Sequence, residues 1–321
     1  MSTVRTVTSV VVGVGLLVVA AGALAARYVE IPGHRTLYVV IASPFLAIAA
    51  PFAVGVLLWG RRRVLAAIAG VLTAVLIAVQ VPWYVSAASA PHAVAVRTMT
   101  VNMLYGHADA STITRVAAES ADIVFVQELT PEAAKRLKAA AIDKSFPYQA
   151  IDARPMAAGG AVYSRYPMTD HRNVDGFELA LVTAQLQVDG VQSPVHVAAV
   201  HLAGPWPKPI EGWHADYAVL PSWLTDLATQ AGQAPIILGG DFNSTIDMES
   251  FRQLLTNGYR DSAEQAGAGR QFTYPSNKRY PPLIGIDHIL TRNATAVTTS
   301  TVEVPKTDHR ALLATVMVPR G

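Results

Sequence analysis

Three long uncharged apolar runs lie in the first 85 residues of the chain. Val7 to Ala26 is 20 residues without a charge, Thr36 to Gly60 is 25 with Pro44 and Pro51 inside it, and Val64 to Val85 is 22. At about 1.5 Å per residue, each can cross a hydrocarbon core about 30 Å thick. A buried helical hairpin is the alternative, but these runs have no polar face to turn to water. The pattern therefore predicts a membrane domain over 1–85 with three transmembrane helices.

The first run has a second interpretation. Arg5, the apolar stretch and the pattern Ala23-Leu24-Ala25 are also typical of a cleaved signal peptide, although the apolar region is longer than the usual 7 to 15 residues. The basic triplet 61–63 lies in the shortest loop, which is expected to stay in the cytoplasm. This topology places four Arg residues near the helix ends on the cytoplasmic side of the membrane and three on the opposite side. Both interpretations place the rest of the chain outside the cytoplasm, so we expect a multi-pass membrane protein with an extracytoplasmic domain.

The pattern changes after a predicted linker at 86–95, which is rich in Ser, Ala, Pro and His. Short runs of Val, Ile and Leu then alternate with helical stretches, which predicts a layered α/β domain over 96–321. The predicted strands are 97–104, 122–127, 160–164, 179–188, 195–201, 235–238, 286–291 and 311–318. The predicted helices are 111–120, 131–141, 218–231 and 248–257, with Ser111 as the N-cap of the first and Thr130-Pro131 at the start of the second.

Composition and charge narrow the class of protein. Hydrophobic residues make up 51% of the chain and charged residues 15%, which excludes a disordered protein. Cysteine is absent, so disulfides and thiolate metal sites are excluded. Six of the 25 Lys and Arg but one of the 23 Asp and Glu lie at or before Arg63, so the remainder carries a net charge of −3. That balance gives no support for a basic nucleic-acid-binding face.

Polar residues that could do chemistry lie at the ends of the predicted strands, where a rigid sheet can direct side chains into one pocket. Four of them are carboxylates, so gathering them in one cleft requires a cation. Oxygen ligands favour Mg²⁺, with Mn²⁺ as the alternative, over zinc. The residues are Asn102, Glu128, His201, Asp241, Asn243, Asp287, Asp308 and His309.

The ordered series of motifs that contains these residues resembles the endonuclease/exonuclease/phosphatase superfamily over 97–318. The resemblance implies a deoxyribonuclease I-like fold, a two-sheet α/β sandwich, here preceded by an all-α transmembrane segment of three helices. Membrane-tethered bacterial members resembling a teicoplanin-resistance phosphatase share this layout. The motifs are Asn102, Gln127-Glu128, 160–167, His201-Leu202, Gly240-Asp241-Phe242-Asn243, Ile286-Asp287-His288 and Asp308-His309.

The resemblance also implies a role for each residue. Glu128 would be the principal metal ligand, supported by Asp308 and Asn102. Asp241, held by Asn243, would orient or deprotonate the attacking water. His309, backed by Asp287, would donate hydrogen bonds to phosphoryl oxygens, and His201 would serve the same anion or the leaving group. Together these roles describe in-line hydrolysis at phosphorus.

Other residues in the same segments have structural interpretations. Singly, Asn102 and Asn243 could cap turns, and His201 and His309 could be interior histidines. His288 is expected to be structural. Trp206 and Trp213 lie in a proline-rich segment after His201 that could cover the site and bind substrate, or dip into a membrane interface.

We therefore expect an extracytoplasmic, Mg²⁺-dependent phosphohydrolase that cleaves phosphate ester or pyrophosphate bonds. The bilayer would be its partner and a lipid-linked phosphate its substrate. An extracytoplasmic nuclease is the first alternative, although the charge does not favour nucleic acid. A catalytically inactive, membrane-anchored binding module is the second, and it would require the loss of a catalytic position, whereas Glu128, Asp241, Asn243, Asp287, Asp308 and His309 are all present.

Overall fold

A computed structural model describes residues 2–86 and 92–321. Half of the predicted linker, 87–91, lies outside the described residues. The chain divides into two units. The first comprises Met1–Pro82 with Ile246–Arg252, and the second comprises Trp83–Thr245 with Gln253–Gly321.

The first unit is built from apolar helices. They are α1 (Ser2–Ala26), α2 (His34–Leu46), α3 (Ala49–Trp59) and α4 (Arg63–Ala78), and a 3₁₀ turn at Val81–Trp83 follows. Two stretches, Val4–Ala26 and Arg63–Trp83, are long and apolar enough to cross a membrane. The described residues offer up to three spans if the bent pair α2 and α3 forms one.

The predicted single helix over 36–60 is broken in the structure. Helices α2 and α3 meet at an angle of 56°. Pro51 lies in the first turn of α3. It has no backbone N–H to donate to the carbonyl four residues earlier, and its ring would clash with that carbonyl in a continuous helix. The break at 47–48 is therefore a local consequence of this proline.

The second unit contains two mixed sheets of six strands, which form an α/β sandwich. The first sheet has the order β11-β12-β1-β2-β4-β3, and the second has the order β5-β6-β7-β8-β10-β9. The strands are β1 (Ala93–Asn102), β2 (Ile123–Gln127), β3 (Tyr148–Asp152), β4 (Gly160–Ser164), β5 (Met168–Asn173), β6 (Val182–Leu186), β7 (Val195–His201), β8 (Ile236–Asp241), β9 (Arg260–Asp261), β10 (Asp287–Arg292), β11 (Thr295–Glu303) and β12 (Arg310–Pro319).

Apolar side chains from both sheets form the core between them. Val96, Phe125 and Leu312 come from the first sheet and Val197 and Ile237 from the second, and all are buried. The outer face of the first sheet carries helices. The remaining helices along the chain are α5 (Ala110–Ser120), α6 (Pro131–Ala139), α7 (Ile142–Ser145), α8 (Glu211–Ala231), α9 (Glu249–Leu254) and α10 (Ser262–Ala266).

The predicted strands are the interior ones. All eight occur, two of them (160–164 and 195–201) with the predicted limits and six with shifted ends. The four that the pattern missed, β3, β5, β9 and β11, are the edges of the two sheets. Edge strands need less apolar surface, because one side lacks a neighbour and more of each residue meets solvent. Strand β5 shows this clearly, since five of its six residues are exposed.

The predicted helices also occur, with different limits. Helix α8 begins at Glu211 rather than at 218, and α9 is shorter than predicted. Pro131 lies in the first turn of α6 as expected, and Thr130 is the N-cap, because its hydroxyl accepts a hydrogen bond from the Ala133 N–H. The predicted cap Ser111 is wrong: Asp109 is the N-cap of α5, and its carboxylate accepts a 2.8 Å hydrogen bond from the Thr112 N–H.

The cap can be tested by substitution. Asp109→Ala should lower the free energy of unfolding by about 1 kcal/mol, because a helix amide loses its acceptor. Asp109→Asn, which keeps an acceptor oxygen, and Ser111→Ala should have much smaller effects. Thermal unfolding of the full chain in detergent measures this, and a larger loss for Ser111→Ala than for Asp109→Ala would contradict the assignment.

Candidate active site

One edge of the sandwich collects strand termini from both sheets. Strands β1 and β2 run parallel in the first sheet, and β7 and β8 run parallel in the second, so all four carboxyl ends lie on this edge. Strands β10 and β12 run antiparallel to their neighbours and begin there. The topology thus gathers residues that are up to 207 positions apart, from Asn102 to His309.

Two glycines let Asp241 reach this edge. A Cβ on Gly240 would lie 1.8 Å from the carbonyl oxygen of Val200 on the neighbouring strand, and one on Gly239 would lie 2.2 Å from the Phe125 ring in the core. Neither position has room for a side chain. The glycines before Asp241 therefore allow close strand and core packing.

Asp241 is fully enclosed and well anchored. Its carboxylate accepts hydrogen bonds from the Asn243 N–H at 2.9 Å and from the Asn102 amide nitrogen at 3.0 Å. Burial raises the pKa of Asp241 to about 7, and nearby His309 opposes that rise. A carboxylate with this pKa can accept a proton near neutral pH.

His309 forms a charged pair with Asp287. Its Nδ1 lies 2.8 Å from Asp287 Oδ2, and its Nε2 lies 3.7 Å from Asp241 Oδ2. Burial alone would lower the pKa of His309, but the carboxylates of Asp287 and Asp241 outweigh it and raise that pKa to about 10. The ring is therefore an imidazolium at neutral pH, with one N–H held by Asp287.

Glu128 follows β2 and is fixed by backbone as well as side-chain contacts. The Tyr105 N–H donates to Glu128 Oε2 at 2.5 Å, and the Asn102 amide nitrogen donates to Oε1 at 3.1 Å. Glu128 also has a positive φ of 55°, a conformation that is costly for a residue with a side chain. Such backbone conformations cluster at functional sites.

Asn102 binds carboxylates on both sheets. Its amide nitrogen lies between Glu128 and Asp241, and its oxygen accepts a 2.9 Å hydrogen bond from the Leu104 N–H. In this arrangement the nitrogen, not the oxygen, faces the carboxylates. Asn102 therefore joins the two halves of the site, and its role as a metal ligand stays a prediction.

His201 ends β7 beside the same carboxylates. Its Nε2 lies 4.0 Å from Glu128 Oε1 and 3.9 Å from Asp241 Oδ2. Burial lowers the pKa of His201, so its ring is neutral where His309 is charged. Two histidines of one site thus hold different protonation states.

The negative charge of the site fits a cation. Asp241, Asp287 and His309 place ligand atoms within 4.8 Å of one another and could hold a metal ion. Glu128 and Asp308 are outside that set. Asp308 Oδ1 is nevertheless buried without a hydrogen-bond partner among the residues that the structure describes, and it lies 3.9 Å from His309 Nε2. Burial raises the pKa of Asp308. Oxygen donors with excess charge are what a hard divalent cation requires.

The two tryptophans predicted to contact substrate or membrane differ in solvent exposure. Trp213 is wrong as a substrate or membrane contact: it is in the first turn of α8, only 3% exposed, and its indole N–H donates to the Asn243 carbonyl and the Ser244 hydroxyl at 3.2 Å. Helix α8 begins at Glu211, seven residues before the predicted start, so Trp213 is helical and its indole is turned inward. Trp206 is 56% exposed, and its role stays a prediction.

His288 has structural partners. Its Nδ1 lies 2.8 Å from Asp261 Oδ2 and its Nε2 lies 3.0 Å from the Ser244 carbonyl oxygen. These contacts join β10 to β9 and to the segment after β8, as expected for a structural residue.

Two residues near His309 were missed by the sequence analysis. The Tyr274 ring lies 5.1 Å from the His309 ring, and the Thr307 hydroxyl donates to the Asn102 carbonyl at 2.9 Å. Thr307 directly precedes Asp308-His309 in the sequence, and this position could have indicated that it belongs to the site. Tyr274 lies in an irregular segment and gave none.

Comparisons with known proteins agree with this architecture. Residues 99–309 match the model of the Endonuclease/Exonuclease/phosphatase family, and no curated protein matches the chain. Truncated TDP2 of Caenorhabditis elegans is 16% identical, with a TM-score of 0.56 over 70% of this chain and 98% of that one. An endonuclease/exonuclease/phosphatase of Bacteroides vulgatus is 18% identical, with a TM-score of 0.56 over 70% of this chain and 99% of that one. The Neisseria 3′ phosphatase NExo, bound to a product DNA hairpin, is 19% identical, with a TM-score of 0.55 over 68% of this chain and 98% of that one.

The charges of Asp241 and His309 predict how stability changes with pH in metal-free protein. Both folded-state pKa values, about 7 and about 10, lie above the values of 3.8 and 6.5 for the free groups. The contribution of Asp241 is therefore lost as pH rises through 7, and that of His309 is lost as pH rises through 10. With chelator present, the unfolding temperature of the full chain should fall between pH 6.5 and 10.

A double variant separates these groups from the rest of the protein. Asp241→Asn with His309→Gln should remove most of that slope, whereas His107→Gln, at an exposed position, should keep it. An unfolding temperature that is constant over this range in the unsubstituted protein would refute the assigned protonation states.

Proposed function

The chain belongs to the endonuclease/exonuclease/phosphatase family, whose members hydrolyse phosphoester bonds, and from that premise we propose that it is a membrane-anchored, Mg²⁺-dependent phosphohydrolase. The observation that carries the proposal is the pairing of Asp241 with an imidazolium. His309 Nε2 lies 3.7 Å from Asp241 Oδ2, and Asp287 holds the other ring nitrogen. A proton acceptor and a cationic hydrogen-bond donor therefore face the same small space.

This pairing suits attack by water on phosphorus. Asp241 takes a proton from water as the water oxygen bonds to phosphorus, and the bond from phosphorus to the leaving oxygen breaks. His309 donates its Nε2–H to a phosphoryl oxygen, where negative charge increases. Asn243 and Asn102 fix the Asp241 carboxylate during this step, since both donate hydrogen bonds to it.

Glu128 and Asp308 are the residues that would hold the cation. Mg²⁺ bound there would neutralise charge on the phosphoryl group. The Tyr105 amide holds Glu128, so this carboxylate is positioned before an ion arrives. Among the described residues, Asp308 has a buried oxygen without a hydrogen-bond partner, which is free to bind the ion. Mn²⁺ is the natural substitute, because it accepts the same oxygen donors.

A lipid-linked phosphate or pyrophosphate is the substrate we favour. Helices that could span a membrane precede the catalytic unit, and the residues after Arg63 have a net charge of −3, so they lack the cationic excess that binds a nucleic-acid backbone. The basic triplet 61–63 between the last two apolar segments supports an extracytoplasmic catalytic unit.

A nuclease is the second candidate. It is favoured by two structures of similar fold, TDP2 of D. rerio complexed with single-strand DNA product and NExo bound to a product DNA hairpin. At 18% and 19% identity, these two structures show only that the fold is shared.

Side-by-side assays distinguish the two candidates. The purified full chain in detergent, with Mg²⁺, should release phosphate from polyprenyl pyrophosphate and leave plasmid DNA intact. Rapid nicking of the plasmid without phosphate release from the lipid would instead establish the nuclease.

Substitutions test the catalytic assignment. Asp241→Asn should lower kcat by about 10² to 10⁴, because the proton acceptor is lost while its shape is kept. Glu128→Gln should raise the Mg²⁺ concentration needed for half-maximal activity. Asp189→Asn and Glu119→Gln, which change exposed carboxylates, are the matched controls. Full Mg²⁺-dependent activity in Glu128→Gln would remove Glu128 from the metal site.

A further inference from the structure

A hairpin that begins beside the catalytic histidine projects into solvent. Its base is closed by reciprocal hydrogen bonds between Tyr274 and Ile284, at 2.9 and 3.0 Å. The Tyr274 ring lies 5.1 Å from the ring of His309, and the Ser276 N–H donates to the Asp308 carbonyl at 2.7 Å. The 274–284 hairpin is therefore attached directly to the segment that carries two residues of the site.

The tip of the 274–284 hairpin combines cationic, aromatic and aliphatic side chains. Lys278 and Arg279 are exposed, and neither has an ion-pair partner in the part of the chain that the structure describes. Tyr280 is 49% exposed and Leu283 is 44% exposed. Pro281 and Pro282 stiffen the segment between them. Exposed apolar and aromatic groups beside cations suit a membrane interface of anionic headgroups.

The chain also connects this hairpin with the end of a candidate span. Trp83, the last residue of the apolar stretch Arg63–Trp83, accepts a 2.7 Å hydrogen bond from the Gly269 N–H, and both residues belong to the second unit. Gly269 and Tyr274 are five residues apart, at most roughly 18 Å of chain. The hairpin base therefore lies within a short reach of the residue at which the chain would leave a bilayer.

We propose that the 274–284 hairpin binds the surface of an anionic bilayer and holds the active site at the level of the lipid headgroups. Lys278 and Arg279 contact lipid phosphates, and Tyr280 and Leu283 enter the interface. This proposal rests on the proposed function and deepens it, because a site held at headgroup level receives its phosphate substrate from the membrane plane.

The absence of cysteine from the chain allows a direct test of position. Tyr280→Cys in the full chain would be labelled with an environment-sensitive fluorophore and reconstituted into vesicles containing anionic phospholipid and a lipid-attached spin-label quencher. Asp189→Cys is the control, since it is exposed and lies between β6 and β7, at the opposite edge of the second sheet from the site. We expect a blue shift and strong quenching at position 280 and neither at 189.

A paired activity assay tests the consequence. Lys278→Glu with Arg279→Glu should lower hydrolysis of a lipid phosphate in anionic vesicles at least about fivefold, the change expected from losing one basic contact with an anionic surface. Hydrolysis of the water-soluble ester bis-p-nitrophenyl phosphate should not change, and neither should the unfolding temperature.

The outcomes separate the two proposals. Equal quenching at 280 and 189 would overturn the hairpin assignment, and so would an equal loss on both substrates. Protection of the position-280 label by a DNA oligonucleotide without lipid quenching would also overturn it, since the hairpin would then bind nucleic acid. If neither substrate is hydrolysed by the unsubstituted protein, the proposed function fails, whereas the quenching result still decides where the hairpin lies.

Discussion

The concentration of negative charge at one edge of the sandwich is the constraint on which the rest of the site depends. Asp241, Asp287 and His309 lie within 4.8 Å, and Glu128 and Asp308 adjoin them. One imidazolium cannot balance four carboxylates. Burial, together with the neighbouring carboxylates, raises the pKa values of Asp241 and Asp308, so the site favours either protons or a cation. The proposed acid–base chemistry near neutral pH and the proposed binding of a divalent ion both rest on this imbalance.

The sheets hold this unfavourable cluster in place. Parallel pairs β1–β2 and β7–β8 end together, and the antiparallel strands β10 and β12 begin there, so every charged group is attached to a rigid element. Hydrogen bonds from Asn102 to Glu128 and Asp241 join the two sheets across the site. The apolar core between the sheets supplies the stability that the like charges oppose.

The sequence predicted the interior of the fold and most of the site for a common reason. Interior strands must be apolar along their length, and side chains at their ends are the ones that a sheet can gather, so the pattern identified both. Edge strands such as β5 carry too little apolar surface to be recognised. Asp109 rather than Ser111 is the N-cap of α5, and Trp213 is buried, because the role of each residue depends on where α5 and α8 begin. That choice is made by tertiary packing, which the local sequence does not encode.

The central claim is that carboxylates distant in the chain share one divalent ion that serves a phosphoryl group. Anomalous diffraction at the manganese absorption edge, from crystals of the full chain grown with Mn²⁺, tests it most directly. We expect one strong peak within coordination distance of both Glu128 and Asp308, and its loss in Glu128→Gln. A peak that avoids Glu128, or no peak at this edge of the sandwich, would contradict it.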